Sequence, residues 1–175
     1  MTTALIFAGG KSSRMGRDKA AMYGGVARLI DECSKAGISK IITLCGAEER
    51  KSAFSGEVWS DPENCTGLIE VLQWALSRID DEVLLIPCDA FGLTADGITA
   101  IKNMPNCVPI DEDGMRQPLH AKITNRDVLN WQADSINQVF AEFPPFQDEE
   151  FISEFNNFNS LEDLKNLRHF LQIQF

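Results

Sequence analysis

At 175 residues, with 44% hydrophobic and 24% charged residues, the chain is long enough for one domain with a full core and too short for two. Its formal net charge of −10 excludes a general affinity for nucleic acid or anionic membranes, which depends on clustered Lys and Arg displacing phosphate counterions. No apolar run approaches the roughly 20 residues that cross a bilayer, and the N-terminus enters a strand-like run without a basic region or cleavage site, so a soluble cytoplasmic protein is expected.

In chain order, Leu5, Ile6 and Phe7 lead into Gly9 and Gly10, a buried strand ending in a loop. Val26 to Ala36 carries Leu29, Ile30 and Cys33 at helical spacing and stops at Gly37. Lys40 to Cys45 is a β-branched strand. Leu68 to Ile79 is apolar at Leu68, Leu72, Ala75, Leu76 and Ile79, one stripe of a helix, and Glu82 to Ile86 is an apolar strand bounded by Pro87. Strand, helix, strand, repeated, predicts right-handed crossovers and a largely parallel sheet covered on both faces, a three-layer α/β domain spanning residues 1–175.

The second half is less regular. Cys107 to Ile110, the turn Asp113-Gly114 and Leu119 to Ile123 predict strands joined by a tight connection, with an antiparallel partner among them. Pro144 and Pro145 interrupt what precedes them. Ser160 with Asp163 forms a capping box, and Leu161, Leu164, Leu167 and Leu171 make one face of a terminal helix. The five cysteines contain no C-x-x-C pair and read as reduced thiols, neither a disulfide frame nor a zinc site. His120 and His169 fit no metal spacing and read as surface or packing residues, and Trp59, Trp74 and Trp131 as core anchors.

Chemistry concentrates from Phe7 to Ala20, F-A-G-G-K-S-S-R-M-G-R-D-K-A, where Lys11, Arg14, Arg17 and Lys19 gather positive charge in an acidic chain. A glycine turn after the first strand lets backbone N–H groups approach phosphate oxygens, and Arg14 and Lys19 neutralise a triphosphate. Neither the Walker pattern nor the dinucleotide G-x-G-x-x-G is present. Further on, Leu84 to Phe91 reads L-L-I-P-C-D-A-F. A carboxylate ending a central parallel strand lies at the ligand crevice of open α/β sheets, and its hard oxygens suit magnesium bridging a triphosphate, so Asp89 is the candidate metal ligand. Read alone, such an Asp is more often a cap or turn residue, as Asp61-Pro62 equally reads as a turn.

The stretch from Phe7 resembles the nucleotide-binding signature of the molybdenum cofactor guanylyltransferases, L-A-G-G-x-S-x-R-M-G-x-D-K, with Phe7 replacing the opening Leu. The resemblance extends over most of the chain: Pro87-Cys88-Asp89 is similar to P-C-D-x-P with Phe91 in place of Pro, and Asp113 to Ala121 to D-G-x-x-Q-P-L-x-A. Phe155 to Leu164 resembles F-x-N-x-N-T-P-E-D-L, and Asp61 stands where the family has an Asp near the nucleotide. The loop at Gly67 departs from G-P-L-x-G, lacking the Pro and carrying Glu70 for a small residue.

The resemblance implies a Rossmann-like nucleotidyltransferase fold of the nucleotide-diphospho-sugar transferase type. It also implies nucleotide contacts by Phe7, Ala8, Gly9, Gly10, Ser12, Asp61, Asn157 and Asn159, phosphate contacts by Arg14 and Lys19, and magnesium on Asp89. GTP and molybdopterin are the implied substrates, with molybdenum-insertion and molybdoenzyme-delivery proteins as partners. The Gly9-Gly10 pair favours a purine through room beside the base, since cytidylyltransferases carry L-A-A-G. Two rival readings are a cytidylyl- or sugar-phosphate transferase and a nucleotide-binding partner protein that has lost catalysis.

Overall fold

The computed structural model describes residues 1–10 and 19–156 with Phe158 and Lys165, less the side chains of Lys19, Met22 and Tyr23. Four strands, β1 (Thr2–Phe7), β2 (Lys40–Leu44), β3 (Glu57–Trp59) and β4 (Glu82–Pro87), pair in parallel in the order β3-β2-β1-β4. The edge strand β6 (Lys122–Ile123) closes the sheet antiparallel to β4, which is the antiparallel partner expected from the sequence. A second, two-stranded sheet joins β5 (Val108–Pro109) to β7 (Pro145–Phe146).

Alternation along β1 divides the core in two. Ala4 and Ile6 face helices α1 (Gly25–Lys35) and α3 (Ala95–Lys102) through Val26, Leu29, Cys33, Ile98 and Ile101. Leu5 and Phe7 face the other way, against α2 (Leu68–Leu76) and the short α4 (Ile136–Val139) through Val71, Leu72, Ala75, Leu76 and Val139. A sheet buried on both faces is why its strands read as continuous apolar runs. The protein thus has the expected α/β fold, with a mostly parallel sheet between two helical layers.

Several boundaries differ from the sequence reading. Helix α2 ends at Leu76, not Ile79, as the Ser77 hydroxyl donates back to the Trp74 carbonyl and the chain turns through Arg78. Ile79 is nevertheless fully buried. Pro118–His120 forms a 3-10 turn where a strand was expected, leaving strand only at Lys122–Ile123, because Pro118 has no N–H to give a ladder. Pro145 sits inside β7, and its neighbour Pro144 accepts a hydrogen bond from the Val108 N–H. The expected C-terminal helix and His169 lie outside the described residues. The five cysteines are free thiols; burial pushes Cys33 up to about 12 and Cys107 up to about 11.

Candidate functional site

The sheet order has β1 flanked by β2 on one side and β4 on the other, so successive crossovers leave β1 in opposite directions. Between such strands the loops diverge and open a crevice at the carboxyl ends, where α/β sheets bind ligands. Ala8, Gly9 and Gly10 leave the end of β1, and Cys88 and Asp89 the end of β4. The strand ends are stitched together, with the Cys88 N–H donating to the Phe7 carbonyl at 2.9 Å and the Ala8 N–H to the Leu44 carbonyl at 2.8 Å.

The two glycines of the loop do different work. A Cβ on Gly9 would lie 3.1 Å from both Cα and N of Gly46, which leaves β2 with φ +79°. The loops after β1 and β2 therefore pack backbone on backbone, and a side chain at Gly9 would crowd Gly46. Gly10, at φ +106°, faces open space: among the described residues no atom comes within 4 Å of where a Cβ would stand. This is the position whose backbone is left exposed.

Asp61, beyond β3, is tied into the same edge by its N–H, 2.7 Å from the Gly46 carbonyl, and burial raises its carboxyl above the usual range. The glycine loop, Asp61 and Asp89 thus lie along one edge of the sheet, Asp61 on the β3 side of β1 and Asp89 on the β4 side. The segment holding Ser12 and Arg14, together with Asn157 and Asn159, lies outside the described residues. For Lys19 the backbone opens the 3-10 turn Lys19–Gly24.

Two arginines that periodicity did not mark hold these loops. Arg50 sends Nη1 to the Ala8 carbonyl at 2.7 Å and the Cys45 carbonyl at 3.1 Å, while its guanidinium lies 5.7 Å from the Phe54 ring centroid. Arg28 on α1 grips the loop after Asp89, at 2.6 Å to the Ala90 carbonyl and 2.7 Å to that of Leu93. Burial lowers the Arg28 pKa, and neighbouring Glu32 opposes that shift. Within E-E-R-K, Arg50 reads as a solvated charge, so its sequence context carried no signal.

Asp89 also lines a cleft of ≈ 890 Å³ whose other wall is the D-G-x-x-Q-P-L-x-A segment. Asp111 builds that wall: Oδ1 accepts from the N–H groups of Asp113 and Met115, and Oδ2 from the Gln117 amide at 2.7 Å. The first of these is an Asx-turn, a signal available in the sequence. Arg116 is committed to the carbonyls of Phe140 and Phe143, at 2.8 and 3.1 Å. His120 is a packing residue, as expected, set edge-on to Phe155 at 5.3 Å. Burial pushes its pKa down to about 4 against the opposing pull of Asp89, which makes it neutral at physiological pH.

The departures from the expected motifs are accommodated locally. Phe91 is buried and meets Phe158 with ring centroids 5.7 Å apart, so Phe158 is held beside the Asp89 loop. Glu154 adds a second anchor, accepting from the Thr94 N–H and hydroxyl at the start of α3. At the Gly67 loop, the Glu70 carboxylate accepts from the Thr66 N–H and hydroxyl and caps the start of α2.

A strand-end glycine loop, a carboxylate across the switch point and a cleft beside it define a nucleotide-binding α/β protein. Residues 4–141 match the MobA-like NTP transferase domain, and the chain belongs to that family. It is 33% identical over 117 residues to a probable molybdenum cofactor guanylyltransferase of Synechococcus elongatus, a match covering 62% of this chain and 60% of that protein. The chain therefore spans about 60% of the curated relatives it matches. Molybdopterin-guanine dinucleotide biosynthesis protein A from Archaeoglobus fulgidus shares the fold at a TM-score of 0.68 and 16% identity, over 98% of this chain and 99% of that one. A nucleotidyl transferase from a Methanothermobacter species does so at 0.69 and 17%, over 99% of each. Among the described residues no helix is long and apolar enough to cross a membrane.

Proposed function

We propose that this protein is a magnesium-dependent guanylyltransferase, moving GMP from GTP to the terminal phosphate of molybdenum-bound molybdopterin with release of pyrophosphate. The observation that carries the reading is the junction at Asp89, which stands between the glycine loop of β1 and the ≈ 890 Å³ cleft walled by the second motif. A nucleotide on the loop and an acceptor in the cleft meet there.

Among the described residues no three His, Cys, Asp or Glu side chains gather to hold a metal ion. A lone carboxylate fits magnesium, which keeps several waters and takes substrate phosphates as ligands, better than it fits zinc or calcium. Asp89 would hold the ion, and bound magnesium would neutralise charge on the triphosphate. The protein's own task is orientation: Gly10 offers unobstructed backbone, Arg50 fixes the glycine loop, and Arg28 fixes the loop bearing Asp89. Arg14 and Lys19 are assigned to the phosphates by the motif, stabilising charge that grows on the leaving pyrophosphate. The acceptor phosphate oxygen is the nucleophile and no covalent enzyme intermediate is required.

The choice of guanine rests on the motif as a whole, and it is tested directly. Calorimetric titration of GTP, CTP and UTP with and without magnesium is expected to give tightest binding for GTP with the ion. Equal affinity for CTP defeats the guanine assignment. Pyrophosphate release with GTP and acceptor separates a working transferase from a binding protein without catalysis.

A further inference from the structure

The cleft wall that faces Asp89 carries an exposed hairpin tip, residues 112–114. Within the hairpin, Asp111 satisfies the N–H groups of Asp113 and Gly114 through its carboxylate and its carbonyl. Among the described residues, the hydrogen bonds that the tip makes outside its own hairpin go to a single side chain. The Glu112 N–H donates to Asn156 Oδ1 at 3.2 Å, and Asn156 Nδ2 donates in return to the Glu112 carboxylate. A side-chain amide can close such a reciprocal clip because one of its atoms accepts and the other donates, which neither an ionised carboxylate nor an ammonium does.

The backbone that presents Asn156 is itself anchored on the opposite wall. Asn156 ends the 3-10 turn Ile152–Phe155, and in that turn Glu154 accepts from the Thr94 N–H and hydroxyl, beyond Asp89. Phe155 is buried edge-on to both His120 and Phe146. The Asn156 side chain carries this anchorage across to the hairpin tip, and Asn156 and Glu112 both line the cleft. In the F-x-N-x-N pattern, position 156 is a free one, so the resemblance gives it no role.

We propose that Asn156 is a positioning residue, holding the hairpin tip in place as the acceptor-side wall and so setting affinity for the acceptor. The inference rests on the transferase reading, in which the acceptor occupies this cleft. A tip released from Asn156 must be ordered again when the acceptor binds, so the loss falls on the acceptor KM and spares kcat and GTP. Steady-state pyrophosphate release with GTP and molybdenum-bound molybdopterin tests it on the full chain as wild type, Asn156→Ala, Asn156→Asp and Asn156→Asp with Glu112→Gln. Solvent exchange of the Glu112 amide is followed by NMR in wild type and Asn156→Ala. Alanine removes both bonds, and aspartate keeps an acceptor for the Glu112 N–H but sets two carboxylates against each other. The double variant restores the clip with side-chain donor and acceptor exchanged. The acceptor KM is expected to rise about 5-fold in Asn156→Ala and about 10-fold in Asn156→Asp, and to return within about 2-fold of wild type in the double variant. Exchange of the Glu112 amide is expected to quicken about 5-fold or more in Asn156→Ala. An acceptor KM unmoved by Asn156→Ala overturns the assignment, as does a double variant no better than Asn156→Asp, or a loss that appears in kcat instead. A wild type that releases no pyrophosphate sinks the transferase reading; amide exchange then still decides whether Asn156 holds the tip, and an unchanged rate shows that it does not.

Discussion

The nucleotide side and the cleft side of this site are held by different means. Around the glycine loop, strand ends are joined backbone to backbone, Gly9 lies on Gly46, and two arginines reach across to backbone carbonyls. Around the cleft, β5, β6 and β7 have two residues each, and the wall is held by side chains that satisfy loop N–H groups: Asp111 and Asn156, with Glu154 beside them. The first arrangement makes a closely joined frame around the glycine loop. The second leaves a wider opening whose shape depends on a few carboxylates and amides.

That difference predicts unequal responses to substitution. Asp89 belongs to both regions, and Asp89→Asn keeps its shape while removing the charge that, under the proposed function, would hold magnesium. Turnover in the pyrophosphate-release assay is expected to fall about 100-fold or more, with little change in melting temperature. Near-normal turnover would make Asp89 a turn residue and dissolve the link between the two sides.

Phe91 is the mechanical link. It is 5% exposed, and truncation to Ala in Phe91→Ala opens a void against Phe158, which is expected to cost about 3 kcal/mol by urea denaturation. A double-mutant cycle with Phe158→Ala is expected to show coupling of about 1 kcal/mol. Additive losses would mean that the Phe91–Phe158 contact does not anchor the C-terminal segment.

The contact between the β1 and β2 loops is probed by Gly46→Ala. The new Cβ meets Gly9 Cα at 3.1 Å and the residue stands at φ +79°, so the combined strain is expected to cost about 2 kcal/mol. Gly10→Ala faces no neighbour among the described residues but stands at φ +106°, so backbone strain alone is expected to cost about 1–3 kcal/mol, with GTP binding weakened more than in Gly46→Ala. If the two variants behave alike in both assays, the division of labour between Gly9 and Gly10 is wrong.

Legibility in the sequence followed the same divide. The parallel strands β1, β2 and β4 and helices α1 and α2 were readable because a buried sheet and amphipathic helices impose long apolar patterns. The placement of the glycine loop and Asp89 at neighbouring strand ends was readable where glycines and a strand-end Asp follow apolar runs. Of the cleft wall only the motif from Asp113 to Ala121 and the Asx-turn at Asp111 were readable, since two-residue strands have no period, and on the other side Arg28 and Arg50 act through distant carbonyls. Phe91 was visible as a departure from the motif, but its partner Phe158, far along the chain, emerged only from the fold.

The smallest expected effect concerns how Arg50 holds the glycine loop. A single nitrogen, Nη1, serves both the Ala8 and Cys45 carbonyls, at 2.7 and 3.1 Å, so the forked geometry of the guanidinium is not what the two bonds demand. A lysine ammonium, with three donors on one atom, can meet two carbonyls from one point, and gives up reach and the contact of the guanidinium with Phe54. Arg50→Lys is therefore expected to cost under about 1 kcal/mol in urea denaturation, whereas Arg50→Met, which leaves both carbonyls without this donor, costs about 2 kcal/mol. GTP affinity follows the same order, because the variant that frees the loop must order it again on binding, with a loss of about 5-fold for Met and little for Lys. Equal losses for the two variants would show that the planar guanidinium itself is required. The nucleotide side would then depend on side-chain geometry as much as the cleft does.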